Sequence, residues 1–198
     1  MAENARTVHG DDGKIRDMAA REATIEDLYR VDGKAELVGG ELVLMSPTGW
    51  LPGFAGGEIF ASLREYARRT RVGYAVPDNV RFLVRLPNRR SFSPDAAFTT
   101  HAPLTGKFIE GALVFAAEVR SEDDDGPAAE RAMAAKRADY FAAGTLVVWD
   151  VDVLCEQSVR VYRANDPATP IVYRRGAVAD AEPALPGWSM PVDDLFLR

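Results

Sequence analysis

The sequence predicts an α/β (α+β) protein with a mixed central sheet flanked by helices, and three stretches carry that prediction. "ALVFAAEVR", residues 112–120, is almost continuously apolar, the pattern of a strand covered on both faces. "AAERAMAAKRADYFAAG", residues 128–144, is rich in helix formers and stops at a glycine, and "TLVVWDV" follows at once as a second buried strand. Strand, helix, strand at this length predicts a right-handed crossover between parallel neighbours. By contrast "AELVGGELVLM", residues 35–45, reads as an antiparallel hairpin turning at Gly39 and Gly40, where positive φ is cheap.

The remaining elements fall in order around these. Residues 1–21 are polar and without period, which predicts a flexible leader, and residues 22–198 read as a single domain. Thr24 followed by Asp27 has the form of an N-cap for a short helix ending near Val31. Glu36 sits on the first hairpin strand. "SPTGWLPG" reads as a loop, after which Ile59, Phe60, Leu63, Tyr66 and Ala67 recur at helical spacing to about residue 70. "GYAVP" and "NVRFLVRL" read as strands, the second with Arg81 and Arg85 outward between Phe82 and Val84. "SPDAAFTT" is a short strand beside Asp95. "SVRVYRA", "TPIVYRR" and "LPGWSMPVDDLF" predict further antiparallel strands and a tail pinned by Trp188 and Phe196.

Composition narrows the function. At 198 residues and 47% hydrophobic the chain can bury a substantial core. A net charge of −6 argues against non-specific coating of nucleic acid or anionic membrane, although a local basic face is compatible with it. No run approaches a membrane span or the apolar core of a signal peptide, and the single cysteine, Cys155, suits a reducing compartment, so a cytoplasmic location is expected. Cys155 itself reads as a strand residue. With only His9 and His101, a zinc site on several His and Cys ligands or a Ser-His-Asp triad lacks raw material. Hydrolytic chemistry here has to run on carboxylates, lysine and a hard metal.

Three acids, Glu36, Asp95 and Glu118, each fall on or beside a strand, and Lys136 follows on the crossover helix. Such a set can build a Mg²⁺ (or Mn²⁺) site. Hard cations take carboxylate oxygens and waters, neutralise a phosphate and orient an attacking water, while a lysine stabilises developing charge. The absence of G-x-x-x-x-G-K-[ST] and G-x-G-x-x-G argues against an ATPase or a dinucleotide enzyme.

"SPDAAF", followed after an intervening stretch by "EVR", resembles the PD-(D/E)XK nuclease motif. The series "AELVGGELVLMSP", "SPDAAF", "LVFAAEVRS", "AAKRADYFAAGTLVVWDVD" and "LPGWSMPVDDLF" resembles the Uma-two family of that superfamily, over roughly residues 22–198. The resemblance implies a restriction-endonuclease-like PD-(D/E)XK core with an N-terminal hairpin and extra C-terminal strands. It implies Mg²⁺-dependent hydrolysis of DNA phosphodiester bonds, with DNA as partner and a homodimer to cut two strands. Residue by residue, it implies Asp95 and Glu118 as metal ligands with the Val119 carbonyl, Glu36 completing the acidic cluster, and Lys136 as the catalytic lysine with Tyr140 one turn later. Arg120 stands where the superfamily motif carries lysine; as a permanently charged donor it binds phosphate and does not accept protons. Together with Tyr140 it is the expected substrate contact. Ala132 replaces an aspartate usual one turn before the lysine.

Plainer readings stand beside these. The same departures are compatible with a catalytically weakened or inactive nuclease-fold module acting in binding. Glu118 reads equally as a strand-end carboxylate paired with Arg120 or Arg137, Asp95 as a turn residue after Pro94, and Lys136 as a solvated side chain. Asp123, Asp124 and Asp125 read as an exposed loop. Arg64, Arg68, Arg69, Arg71, Arg81, Arg85, Arg89 and Arg90 form either a DNA-facing patch or solvated faces. Trp50, Trp149 and Trp188 read as core or interface anchors.

Overall fold

A six-stranded mixed sheet forms the frame, with the predicted crossover as its parallel pair, and the predicted hairpin stands apart as a two-stranded sheet. The computed structural model describes residues 22–101, 105–122, 124 and 126–197; the expected leader, and Asp123 and Asp125 of the acidic loop, lie outside them. The elements are α1 (Ile25–Tyr29), β1 (Ala35–Val38), β2 (Glu41–Leu44), α2 (Trp50–Thr70), β3 (Tyr74–Pro77), β4 (Phe82–Leu83), β5 (Ser91–Phe92), β6 (Ala96–Thr99), β7 (Ile109–Glu110), β8 (Phe115–Val119), α3 (Gly126–Ala143), β9 (Val147–Asp152), β10 (Ser158–Arg163), β11 (Asp166–Arg174), β12 (Val178–Asp180), β13 (Ser189–Pro191) and a 3₁₀ turn (Val192–Leu195). The central order is β11-β10-β9-β8-β6-β3. Only β8 and β9 in it run parallel, with α3 between them, and every other pair is antiparallel.

The alternation of side chains along β8 divides the interior in two. Phe115 and Ala117 join Phe98, Trp149 and Val151 in a core that α2 covers through Ile59, Leu63 and Tyr66, closed by Trp188, Leu195 and Phe196. Ala116 joins Ala97, Val148, Phe92 and Tyr140 on the opposite face, beneath α3. Trp149 is 0% exposed and stacks obliquely on Trp188 at 4.9 Å. Loss of such a ring from a packed core costs about 3–5 kcal/mol.

Several local expectations change. Trp50, Leu51, Pro52 and Gly53 belong to α2 rather than to a loop. Pro52 lies in the first turn, where its missing N–H has no intrahelical partner to lose, and the neighbouring glycines hide the helical period. The "NVRFLVRL" strand contracts to Phe82–Leu83, and Arg81 is buried rather than outward, donating to the carbonyls of Ala35 and Gly33. Cys155 is exposed in the bend between β9 and β10. Trp50 is 74% exposed and anchors no core. The Thr24 N-cap does form, as a reciprocal capping box with Asp27.

Candidate active site

Period two aims Glu118 at the face that α3 covers, two residues beyond buried Ala116 and level with Asp150 of β9. There the apolar face of the sheet ends and a polar layer begins. Lys136 and Tyr140 sit one turn apart on α3, so both point the same way. Lys136 Nζ lies 2.8 Å from Glu118 Oε2, and the Tyr140 hydroxyl donates to Glu118 Oε1 at 2.5 Å. The same ammonium reaches Glu36 Oε1 at 3.0 Å, so it bridges the two glutamates. Glu36 Oε1 also accepts the Ser93 N–H at 2.9 Å, and its Oε2 pairs with the Arg89 guanidinium, whose Nε donates to Asp139 at 2.8 Å.

Asp95 enters from the start of β6. Its Oδ2 accepts the backbone N–H of Val119 at 2.7 Å, which ties it to the residue after Glu118, and its Oδ1 accepts the ammonium of Lys34. Lys34 is also 2.7 Å from Asp78. Asp95 and Val119 line a cleft of about 210 Å³ with Asp78, Pro52, Gly56 and Phe60. A Cβ added at Gly56 would lie 3.6 Å from that of Asp95, so α2 passes close over the carboxylate.

The electrostatics follow from this crowding. Burial raises the Glu118 carboxyl, and the charges of Asp95 and Glu36 add to that; Lys136 and Lys34 offset only part, so it stays above the ordinary value. Burial acts on Glu36 in the same direction, but Lys136, Arg89 and the Ser93 N–H outweigh it and hold its carboxyl low. Burial works to lower Lys136, yet Glu118 and Glu36 raise its ammonium well above the usual lysine range. Burial and the charge of Glu118 push the Tyr140 hydroxyl well up. At neutral pH Lys136 and Tyr140 are therefore proton donors. Neither is a base.

The structure thus brings Glu36, Glu118, Lys136 and Tyr140 into one network, with Asp95 joined to it through Val119. Arg120 lies outside that network. Its guanidinium grips Asp150 bidentately at 2.6 and 2.8 Å and donates to Glu130 at 2.5 Å, while Arg137 reaches Asp150 at 3.1 Å. The two arginines that offered a structural pairing for Glu118 serve Asp150 instead. Tyr140 is 0% exposed, so its hydroxyl meets Glu118 rather than solvent. Asp124, on the acidic loop, turns its carboxylate back on the Ser121 N–H at 2.8 Å.

Sequence reasoning missed Lys34, Asp139 and Asp150, and it placed Arg89 in a DNA-facing patch or solvated face, whereas Arg89 is buried against Glu36 and Asp139. Lys34 had a signal: it stands two residues before Glu36, on the same side of an extended chain. Asp150, an acid flanked by Trp149 and Val151 in a buried strand, had a similar one. Arg89 carried none, because its turn is placed by long-range pairing, including an isolated bridge from Val38.

Among the described residues, no three or more His, Cys, Asp or Glu side chains gather closely enough to cage a metal ion. The donors that fit a hard cation are the oxygens of Asp95 and Glu118 with the Val119 carbonyl. Each of those carboxylate oxygens accepts one hydrogen bond and keeps a lone pair.

The model of the Uma2 family, described as "Putative restriction endonuclease", matches residues 23–193. A solved structure from Anabaena variabilis ATCC 29413, titled a "putative nuclease belonging to DUF820", superposes with a TM-score of 0.69 at 17% identity, covering 87% of this chain and 97% of that one. No curated protein matches the sequence. The likeness to the solved structure establishes a restriction-endonuclease-like fold.

Proposed function

The chain belongs to the Uma2 family, and on that premise we propose that it is a Mg²⁺- or Mn²⁺-dependent endonuclease that hydrolyses DNA phosphodiester bonds. The observation that carries the reading is the doubly bridged Lys136, an ammonium held between Glu36 and Glu118 beside a third acid, Asp95, that faces a cleft. Asp95, Glu118 and the Val119 carbonyl would hold the ion, which when bound neutralises phosphate charge and acidifies a water. Lys136, fixed in its charged form, stabilises negative charge developing on the phosphoryl oxygens. Glu36 and Arg89 keep that ammonium in place, and Tyr140 orients the Glu118 carboxylate. Arg120, with its donors on Asp150 and Glu130, holds the crossover helix to the sheet and leaves phosphate contact to other groups.

One observation favours a second reading, a nuclease-fold module that binds without cutting. Lys34, Val119, Lys136 and Tyr140 already satisfy one lone pair on every oxygen of Asp95 and Glu118, so the network is stable on its own cations. Supercoiled plasmid incubated with Mg²⁺ or Mn²⁺ separates the two. The nuclease reading predicts metal-dependent nicking that falls about 10²–10³-fold in Lys136→Ala and in Glu118→Ala. Absent nicking, or equal nicking in the variants, overturns it.

A further inference from the structure

The described surface carries a second, larger cleft, about 520 Å³, between α2 and β3. Arg64, Arg68 and Arg71 line one side, Arg64 and Arg68 one turn apart on α2 and Arg71 at its left-handed C-cap. All three are exposed, and among the described residues none has an ion-pair or hydrogen-bond partner for its guanidinium. Attraction to the C-terminal end of the helix dipole accounts for Arg68 and Arg71, but it does not reach Arg64, two turns earlier. The floor is apolar and aromatic: Phe60, and Tyr74, which is 53% exposed. Phe60 also lines the smaller cleft that holds Asp95 and Val119, so its side chain borders both hollows.

We propose that this groove binds a single strand of DNA, its phosphates on Arg64, Arg68 and Arg71 and its bases against Tyr74 and Phe60, and leads it to the Asp95 end of α2. The proposal rests on the nuclease reading of the Asp95–Glu118 site. Charge complementarity selects a polyanion, because three unneutralised guanidiniums converge on one hollow of an otherwise acidic chain. The aromatic floor selects the single strand, because a duplex keeps its bases stacked inside and presents only phosphates to such a wall. From Arg71 back to Gly56, beside Asp95, is roughly 22 Å along the helix, the length of several nucleotides of a single strand. The groove also divides the arginines of the sequence. Arg81 and Arg89 are buried in structural contacts, while Arg85 and Arg90 are exposed outside both hollows.

Fluorescence anisotropy with a labelled oligonucleotide, single-stranded or annealed to its complement and in EDTA so that nothing is cut, tests this. The groove predicts tighter binding of the single strand. It predicts about a tenfold or greater loss in Arg64→Ala/Arg68→Ala, with the slope of log K against log salt shallower by about 1.4. Tyr74→Ala is expected to lose roughly 5- to 100-fold on the single strand. Arg85→Ala/Arg90→Ala, which removes the same charge elsewhere, should bind as wild type. Equal losses in the two double variants, or a duplex bound as tightly as the single strand, would overturn the proposal. Plasmid that is never nicked, with oligonucleotide binding and its losses as stated, counts against the nuclease reading and for the groove. Nicking that persists with no loss in Arg64→Ala/Arg68→Ala counts against the groove alone.

Discussion

Glu36 shows how far one buried carboxylate can be tuned by its neighbours. Its folded value lies below the ordinary 4.5 although burial opposes ionisation, because Lys136 and Arg89 flank it. A depressed carboxyl contributes stability above its unfolded value and loses it as the pH falls through the folded one. Glu118, shifted upward, works in the opposite sense, and its contribution fades as the pH rises through its folded value. On acidification below about pH 4.5 the urea midpoint of the wild type is therefore expected to drop more steeply than that of Glu36→Gln, which has no carboxylate to protonate there. Parallel curves for the two proteins would show that Glu36 is not held ionised by its partners. At this scale the motif residues Asp95, Glu118 and Lys136 were legible because their types and spacing are chemical. The cations Lys34 and Arg89 were less so, since they pair with Asp95 and Glu36 across 61 and 53 positions and ion pairs that distant leave little local trace.

The elements carry the site by alternation and by close approach. Along β8 the apolar–apolar alternation that fills both cores is what delivers Glu118 to the α3 face and Val119 to the α2 face. The crossover, the hairpin and α3 with its stop at Gly144 were readable because each has a strong period or a turn residue of known use; Gly144 has φ 107°. The start of α2 was not, since Gly49, Gly53, Gly56 and Gly57 dilute its period and tertiary packing under Pro52 and Ala55 decides the matter instead. Gly73, where α2 turns into β3, is the tightest junction: an added Cβ would meet the Thr99 carbonyl oxygen at 2.4 Å and the Phe98 ring at 2.5 Å. Neither can move cheaply, because Thr99 is paired with Tyr74 and Phe98 is in the core. Gly73→Ala is expected to cost about 1–3 kcal/mol, read as a lower urea midpoint. An unchanged midpoint would mean that α2 does not sit as close to β6 as described.

On the scale of the whole molecule, acidic composition and the proposed nucleic-acid substrate are reconciled by where the charges go. Arg81, Arg89, Arg120 and Arg137 are spent on buried carbonyls and carboxylates, and the unpaired Arg64, Arg68 and Arg71 lie along one hollow of the surface. Net charge, summed over the chain, could not show this, whereas the order and spacing of the motifs made the restriction-endonuclease-like fold legible from sequence. Among the described residues no helix is long and apolar enough to cross a membrane. The central claim is that Asp95 and Glu118 form a divalent-cation site. Calorimetric titration of Mn²⁺ into the wild type, Asp95→Asn and Glu118→Gln tests it most directly: the account predicts saturable binding to the wild type and its loss in both variants, each still folded by circular dichroism. Equal binding in all three proteins, or none in the wild type, would contradict it.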